Sequence, residues 1–321
     1  MDKKKILITG SNGLLGQKLV YALRNRNDVE VIATSKGENR INEKRGYIYE
    51  SLDITVLSEV EAILNKYMPH TIINTAAMTN VDACETDQKS CWALNVTAVE
   101  NIVKTLEKFQ IESPHTQLLN YYPHIIHLST DFVFDGESGS YKEDDLPNPI
   151  SYYGLSKCVS EKWLQSSILK GTIIRTIIVY GIADNMSRSN IVLWAKDALE
   201  KGQKINVVDD QFRSPTLAED LADGCIRVAM KEATGIYHIS GKETMSILEL
   251  VHKVADFYGL DKSLVKPVKS ATLNQPAKRP PRTGFIIDKA IRELDYHPHS
   301  FIEGLEILTS QLNSCRGVTN N

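Results

Sequence analysis

Short apolar runs alternate with amphipathic stretches through the first half of the chain. Lys4–Thr9 (KKILIT) is a continuous apolar burst that runs into Gly10, and Leu15, Leu19, Val20 and Leu23 then recur at helical spacing across Leu14–Leu23. This predicts a strand, a glycine turn and a helix. The same alternation predicts strands over Val29–Thr34, Thr71–Thr75, Ile125–Ser129 and Thr172–Val179, with helices over Val56–Tyr67, Cys91–Phe109 and Ser151–Ser167 between them. Strands that are apolar throughout and separated by helices belong in a parallel sheet covered on both faces. The pattern therefore predicts an α/β protein with a doubly wound parallel sheet.

After Gly181 the rhythm loosens. Pro215, Pro267, Pro276, Pro280 and Pro281 mark loops among shorter helices such as Ile191–Lys201 and Ile247–Tyr258. Two segments, a helix over Ala218–Met230 and a strand over Gly235–Ser240, look like a return to the first sheet. The expected division is a dinucleotide-binding domain over 1–181, with 213–240 returning to it, and a smaller, interleaved substrate-binding region over 182–321. The tail from Cys315 to Asn321 is expected to fray.

Composition narrows the classes. The 321 residues are 42% hydrophobic and carry a formal net charge of -3, enough apolar material for a large core and no basic field to hold nucleic acid. No run approaches the roughly 18 apolar residues of a membrane span, and Ile6–Ile8 is too brief for a signal-peptide core, so a cytoplasmic location away from membranes is expected. The five cysteines show no paired spacing, and His297 and His299 around Pro298 show no zinc spacing, so reduced thiols and no metal are expected.

The chemistry begins at Gly10-Ser11-Asn12-Gly13-Leu14-Leu15-Gly16, where glycines three apart lie between the first strand and first helix. Glycine there permits a positive φ and lets backbone amides and the helix N-terminus approach a pyrophosphate, which points to a Rossmann-type nucleotide site. An acid at the end of the second strand would accept from a ribose 2′-hydroxyl and repel a 2′-phosphate. Ser35 and Lys36 stand there instead, with Arg40 close behind, which favours NADP(H) while leaving NAD(H) possible.

A second constellation follows. Ser129-Thr130-Asp131 ends an apolar run, and Tyr153 lies four residues before Lys157 on one predicted helix face. Bringing an ordinary phenol from a pKa near 10 to neutrality takes roughly 4 kcal/mol. An ammonium about 4 Å away at an effective dielectric of about 20 supplies a Coulomb energy of that size. Thr130, Tyr153 and Lys157 thus read as a hydroxyl, a phenol and an ammonium around one carbonyl, with Tyr153 as general acid. Tyr258 and Lys262 repeat the spacing without a strand-end hydroxyl, and Tyr258 reads as helix packing.

With these residues in place, the chain resembles the extended short-chain dehydrogenases/reductases, and within them the dTDP-4-dehydrorhamnose reductase branch. The resemblance spans nearly the whole chain. It rests on Gly10–Gly16; Asn74-Thr75-Ala76-Ala77-Met78-Thr79-Asn80-Val81-Asp82 with Glu85; Asn95-Val96; Ser129–Gly136; Tyr153–Lys157; Arg175-Thr176; Tyr180-Gly181; Asp210–Thr216; Gly235–His238; and Arg279-Pro280. It implies that Thr130, Tyr153 and Lys157 are catalytic and that Ala76 and Ala77 line the cofactor. It also implies that Asp53, followed by Ile54, sits beside the adenine amino group. Thr79 and Val81 would touch the sugar, and Arg213 and Arg279 are candidate diphosphate contacts. Asn95 would support the lysine through water or stabilise the central strand.

The implied activity is NAD(P)H-dependent reduction of a nucleotide-linked 4-keto-6-deoxysugar in deoxysugar or polysaccharide biosynthesis, by an enzyme for which a homodimer is compatible. Phe132 stands where sugar-nucleotide dehydratases of this family carry a glutamate base, which disfavours elimination. An epimerase uses the same catalytic trio and stays open, as does a non-catalytic role like that of the regulatory subunit of methionine adenosyltransferase. Ile178 replaces a tryptophan that often packs on the sugar, Phe212-Arg213-Ser214 replaces a usual glycine, and the connection Gln110–His124 is long for the family.

Overall fold

The computed structural model describes residues 3–112, 121–186 and 189–318. Seven parallel strands form one sheet in the order β11-β6-β5-β4-β1-β2-β3. They are β1 (Lys4–Thr9), β2 (Val29–Ser35), β3 (Ile48–Ser51), β4 (Thr71–Asn74), β5 (His124–Thr130), β6 (Lys170–Thr176) and β11 (Gly235–His238). The fold is the Rossmann-like α/β arrangement that the apolar pattern predicts. The strand order reverses at β1, which pairs with β2 on one side and β4 on the other. Ligands of open α/β sheets bind in the crevice at the carboxyl ends of the strands at such a switch point.

Strand alternation sorts the core into two layers. Ile6, Ile8, Ile73, Ile126 and Ile174 face helices α1 (Leu14–Leu23), α8 (Ala218–Lys231) and α10 (Asp288–Leu294). Leu7, Ile32, Ile72, Ile125 and Ile173 face α2 (Leu57–Tyr67), α5 (Ala98–Glu112) and α6 (Tyr152–Gln165). Each of these fully buried side chains contributes about 1.5–3 kcal/mol. A third core joins α7 (Ile191–Glu200), α9 (Ile247–Tyr258) and α11 (Phe301–Val318) to the strand pair β8 (Ile205–Val208) and β13 (Val265–Val268). Two further pairs, β7 (Val179–Tyr180) with β10 (Thr216–Leu217) and β9 (Phe212–Arg213) with β12 (Met245–Ser246), link this core to the sheet. Cys84, Cys91, Cys158 and Cys225 are buried free thiols.

Three sequence expectations change. The strand expected over Thr172–Val179 stops at Thr176, because Ile178 takes φ +25° and turns the chain out of the sheet to pair with β10. Thr216 holds this exit by donating from Oγ1 to the Ile177 carbonyl at 2.7 Å. The helix expected over Cys91–Phe109 is three segments: α4 (Gln88–Trp92), a π turn (Ala93–Thr97) and α5. Helix α11 carries the backbone to Val318, past the Cys315 where fraying was expected, and residues 319–321 lie outside the described residues. So do residues 113–120 of the long connection.

Candidate active site

The glycine turn shows which of its residues the fold itself requires. Gly10 has φ +68°, and a Cβ there would stand 2.7 Å from the Ala76 nitrogen. A Cβ at Gly16 would stand 2.3 Å from the Gly10 carbonyl oxygen. Gly13 differs, because its φ of -81° suits any residue and a Cβ would meet only the Gly10 oxygen at 3.2 Å. It is the N-cap of α1, where no side chain caps the helix and no acid sits in the first turn. A bare Gly13 leaves this helix end open toward a cleft lined by Asn12, Gly13, Leu14, Leu15 and Gly16, and so fits a pyrophosphate.

Asn12 ties this turn to the loop after β2. Its Nδ2 donates to the Glu38 carbonyl and its Oδ1 accepts from the Arg40 nitrogen, both at 2.8 Å. The Asn185 side chain donates to the Arg40 carbonyl at 2.9 Å, so the Arg40 backbone is held from both sides. Lys36 lies 2.8 Å from the Asp53 carboxylate, which joins two residues to which the sequence assigned separate roles. The Ser35 carbonyl accepts from Leu52 N at 3.0 Å, and Ile54 is buried with its carbonyl accepting from Asn101 Nδ2 at 3.3 Å.

Beyond the turn, the cleft encloses about 780 Å³ and runs past Ala77, Thr79, Val81, Thr130, Tyr153 and Lys157. Ala76 lies behind it, against Gly10. Asn95, in the π turn, clamps the start of the Thr79 loop. Its Oδ1 accepts from Met78 N at 2.8 Å, and its Nδ2 donates to the Met78 carbonyl at 3.1 Å and to Ser156 Oγ at 3.0 Å.

Thr130 ends β5, and its hydroxyl donates to Asp131 at 3.0 Å while accepting from Phe132 N at 3.2 Å. Tyr153 sits in the first turn of α6. That turn is fixed by Ser151 Oγ, which accepts from Gly154 N at 3.2 Å, and by Glu85, which accepts from Tyr152 N at 3.0 Å. Burial pushes the Tyr153 phenol well above its usual range, and the Thr130 hydroxyl pulls it back in part. Phe132 stacks edge-on against it at 5.8 Å.

Lys157 follows one turn later, as the spacing requires, but its head goes elsewhere. Its Nζ lies 3.1 Å from Nε2 of His127, and among the described residues it makes no hydrogen bond to Tyr153. Burial lowers its pKa to about 8. The lysine head that spacing aims at the phenol is thus engaged by His127 in this structure. His127 was missed because a histidine in an apolar strand carries no local signal.

The two candidate diphosphate arginines also line the cleft, and both are engaged. Arg279 grips Asp82 through both guanidinium nitrogens at 2.7 and 3.1 Å, joining the Thr79–Val81 loop to the C-terminal region. Arg213 is buried, donates to the carbonyls of Phe212, Pro280 and Pro281, and lies 3.6 Å from Asp131. Beneath the site, Arg175 and Glu161 form a buried two-pronged ion pair at 2.7 and 3.0 Å, and Ser129 donates to the same glutamate.

Comparison with known proteins bears on this arrangement. Spore coat polysaccharide biosynthesis protein SpsK of Bacillus subtilis is 30% identical over 315 residues, covering 97% of this chain and 99% of that one. Methionine adenosyltransferase 2 subunit beta of Xenopus tropicalis is 29% identical over 270 residues, covering 83% and 75%. The crystal structure of dTDP-4-dehydrorhamnose reductase from Bacillus anthracis in complex with NADP is similar with a TM-score of 0.80 at 27% identity, covering 96% and 99%. The model of the RmlD substrate binding domain matches residues 4–314, and the chain belongs to that family.

Proposed function

We propose that this protein reduces the 4-keto group of a nucleotide-linked 6-deoxysugar, using NADPH in preference to NADH. At the coarser level it is an NAD(P)-dependent oxidoreductase of the dTDP-4-dehydrorhamnose reductase type, as its family and its full-length relatives support. The observation that carries the finer reading is the convergence of the Thr130 and Tyr153 hydroxyls in one cleft with the open helix end at Gly13, beside an apolar Phe132. A phenyl ring takes no proton, so the residue next to the acid offers no base for elimination.

Bound in this cleft, a nicotinamide cofactor would supply the hydride for C4 of the sugar. Tyr153 donates its phenolic proton to the alkoxide forming at O4, giving the alcohol. Thr130 turns its hydroxyl from Asp131 to the same oxygen and orients it. Lys157 supplies positive charge near the phenolate left behind. Residues 1–181, with 213–240, hold the cofactor, Arg40 and Lys36 meet its 2′-phosphate, and residues 182–321 complete the sugar site. Arg279 turns to the diphosphate by exchanging its bond with Asp82.

A panel of nucleotide 4-keto sugars assayed with NADPH and with NADH tests all of this. One NADPH oxidised per alcohol formed supports the reductase, whereas conversion with no net cofactor consumption supports an epimerase. The similarity to the adenosyltransferase subunit favours one other reading, a binding partner. Stable capture of a synthetase together with no turnover on any keto sugar would establish that reading instead.

A further inference from the structure

A polar row crosses the sheet beneath Lys157. Thr9, Asn74 and His127 occupy adjacent register positions on β1, β4 and β5, and all three are buried. Thr9 Oγ1 donates to Asn74 Oδ1 at 2.5 Å, and Asn74 Nδ2 lies 3.1 Å from His127 Nδ1. On the far side of the ring, His127 Nε2 lies 2.9 Å from Ser160 Oγ and 3.1 Å from Lys157 Nζ. Ser160 donates its own proton to the Lys157 carbonyl at 2.8 Å.

Donors and acceptors along this row leave two consistent arrangements. An amide nitrogen only donates, so Asn74 Nδ2 facing Nδ1 makes that nitrogen an acceptor and puts the single proton of the neutral ring on Nε2. Nε2–H then donates to Ser160, and Lys157 fits beside it as the amine. An ammonium also only donates, so a charged Lys157 needs a lone pair on Nε2. The ring proton must then sit on Nδ1, with the Asn74 amide turned to offer its oxygen, the Thr9 hydroxyl turned to accept from the amide nitrogen, and the Ser160 hydroxyl turned from the Lys157 carbonyl to share the Nε2 lone pair. Burial keeps His127 from gaining a second proton, with the charge of Lys157 acting in the same direction.

We propose that His127, oriented by Asn74, is a positioning residue for Lys157, and that its imidazole tautomer and the charge of the lysine change together. The row reaches from Thr9, next to the glycine turn, to the lysine one helical turn from Tyr153. Among the described residues, His127 is the only hydrogen-bond partner of Lys157 Nζ. Other groups acting on the lysine are Glu161 on the same helix, itself gripped by Arg175 of β6, and the Cys91 thiol of α4; both favour the charged form. Leaving the ammonium buried with no acceptor would disfavour it further. The proposal rests on the reading of Lys157 as partner of the acid, but its test requires no turnover.

Nitrogen NMR of the whole wild-type protein, titrated with no ligand, reads the His127 tautomer, and lysine carbon labelling reads Lys157, assigned by its loss in Lys157→Met. The tautomer is expected to move from Nε2–H to Nδ1–H with the same midpoint at which the lysine gains its proton. A tautomer that stays fixed while Lys157 titrates would overturn the proposal. In folded His127→Leu the lysine midpoint should fall by about one pH unit or more, a tenfold loss of proton affinity, whereas His127→Gln, whose amide can present an oxygen, should largely restore it. An unmoved midpoint in His127→Leu would leave the histidine a packing residue. Absence of keto-sugar reduction by the wild type would remove the reductase reading and leave these titrations to decide the linkage.

Discussion

A tyrosine with a lysine four residues on occurs twice in this chain, and the two pairs have opposite fates. Tyr153 and Lys157 share one face of α6, both buried at the carboxyl edge of the sheet. Tyr258 is the last residue of α9, which Gly259 ends with φ +65°. Lys262 therefore falls in a separate turn and pairs in solvent with Asp256 at 2.6 Å. The Tyr258 hydroxyl is occupied by Thr309 at 2.8 Å. Spacing puts two side chains on one face only where a helix carries the chain between them. Water is the second difference, since both groups of the first pair are buried away from it, while Lys262 remains exposed to solvent.

The largest test of this contrast is Tyr153→Phe. If the pairs differ as argued, kcat falls by roughly 10²–10⁴-fold while NADPH affinity, measured by fluorescence titration, stays within a few-fold. Retained turnover would erase the distinction between the two tyrosines.

Lys157→Met comes next, and it separates charge from packing. The folded protein binds the Lys157 proton less tightly than the unfolded chain, with a pKa of about 8 against 10.5. The unfolded state therefore holds more protons in this window, and the burden on stability is full below about pH 8 and fades as pH rises toward 10.5. That interval corresponds to roughly 3 kcal/mol. Removing the lysine should slow turnover yet raise the melting temperature by a few degrees at pH 7, with little gain at pH 10.5. A lower melting temperature at pH 7 would mean that its contacts outweigh its buried charge.

Arg40→Ala sharpens the cofactor side of the contrast. Losing one phosphate contact should raise KM for NADPH by about tenfold and leave KM for NADH nearly unchanged. Equal effects on both cofactors would take the 2′-phosphate away from Arg40. The smallest effect belongs to Tyr258→Phe, which loses one half-buried hydrogen bond worth about 1 kcal/mol in thermal unfolding and leaves kcat unaltered.

These pairs also mark how far the residues could be read without coordinates. Helices and strands were legible because apolar period follows local geometry, and the glycine turn because Gly10 needs a positive φ whatever surrounds it. Ile178 was not, since nothing about a β-branched residue announces the positive φ that ends β6 early. The residues around the cleft were readable by type, while their partners were not. Asp82 meets Arg279 across nearly two hundred positions, and Lys36 meets Asp53 across two strands. His127 lies beneath Lys157 only because three strands align Thr9, Asn74 and His127 in register.

The π turn at Ala93–Thr97 has a consequence for how this protein tolerates insertion and deletion. An α-helix advances about 100° per residue, so one extra residue in a turn changes the rotational phase of everything beyond it. Cys91, just upstream, and Asn95, within the turn, point at α6, where both meet the Ser156 hydroxyl. Downstream, Val99, Ile102, Val103 and Leu106 point into the sheet. The turn works as a coupling between two shafts set at different angles. Shortening it by one residue would force a choice between aiming the asparagine and seating the helix, so chain length here is as constrained as the identity of any side chain in the cleft.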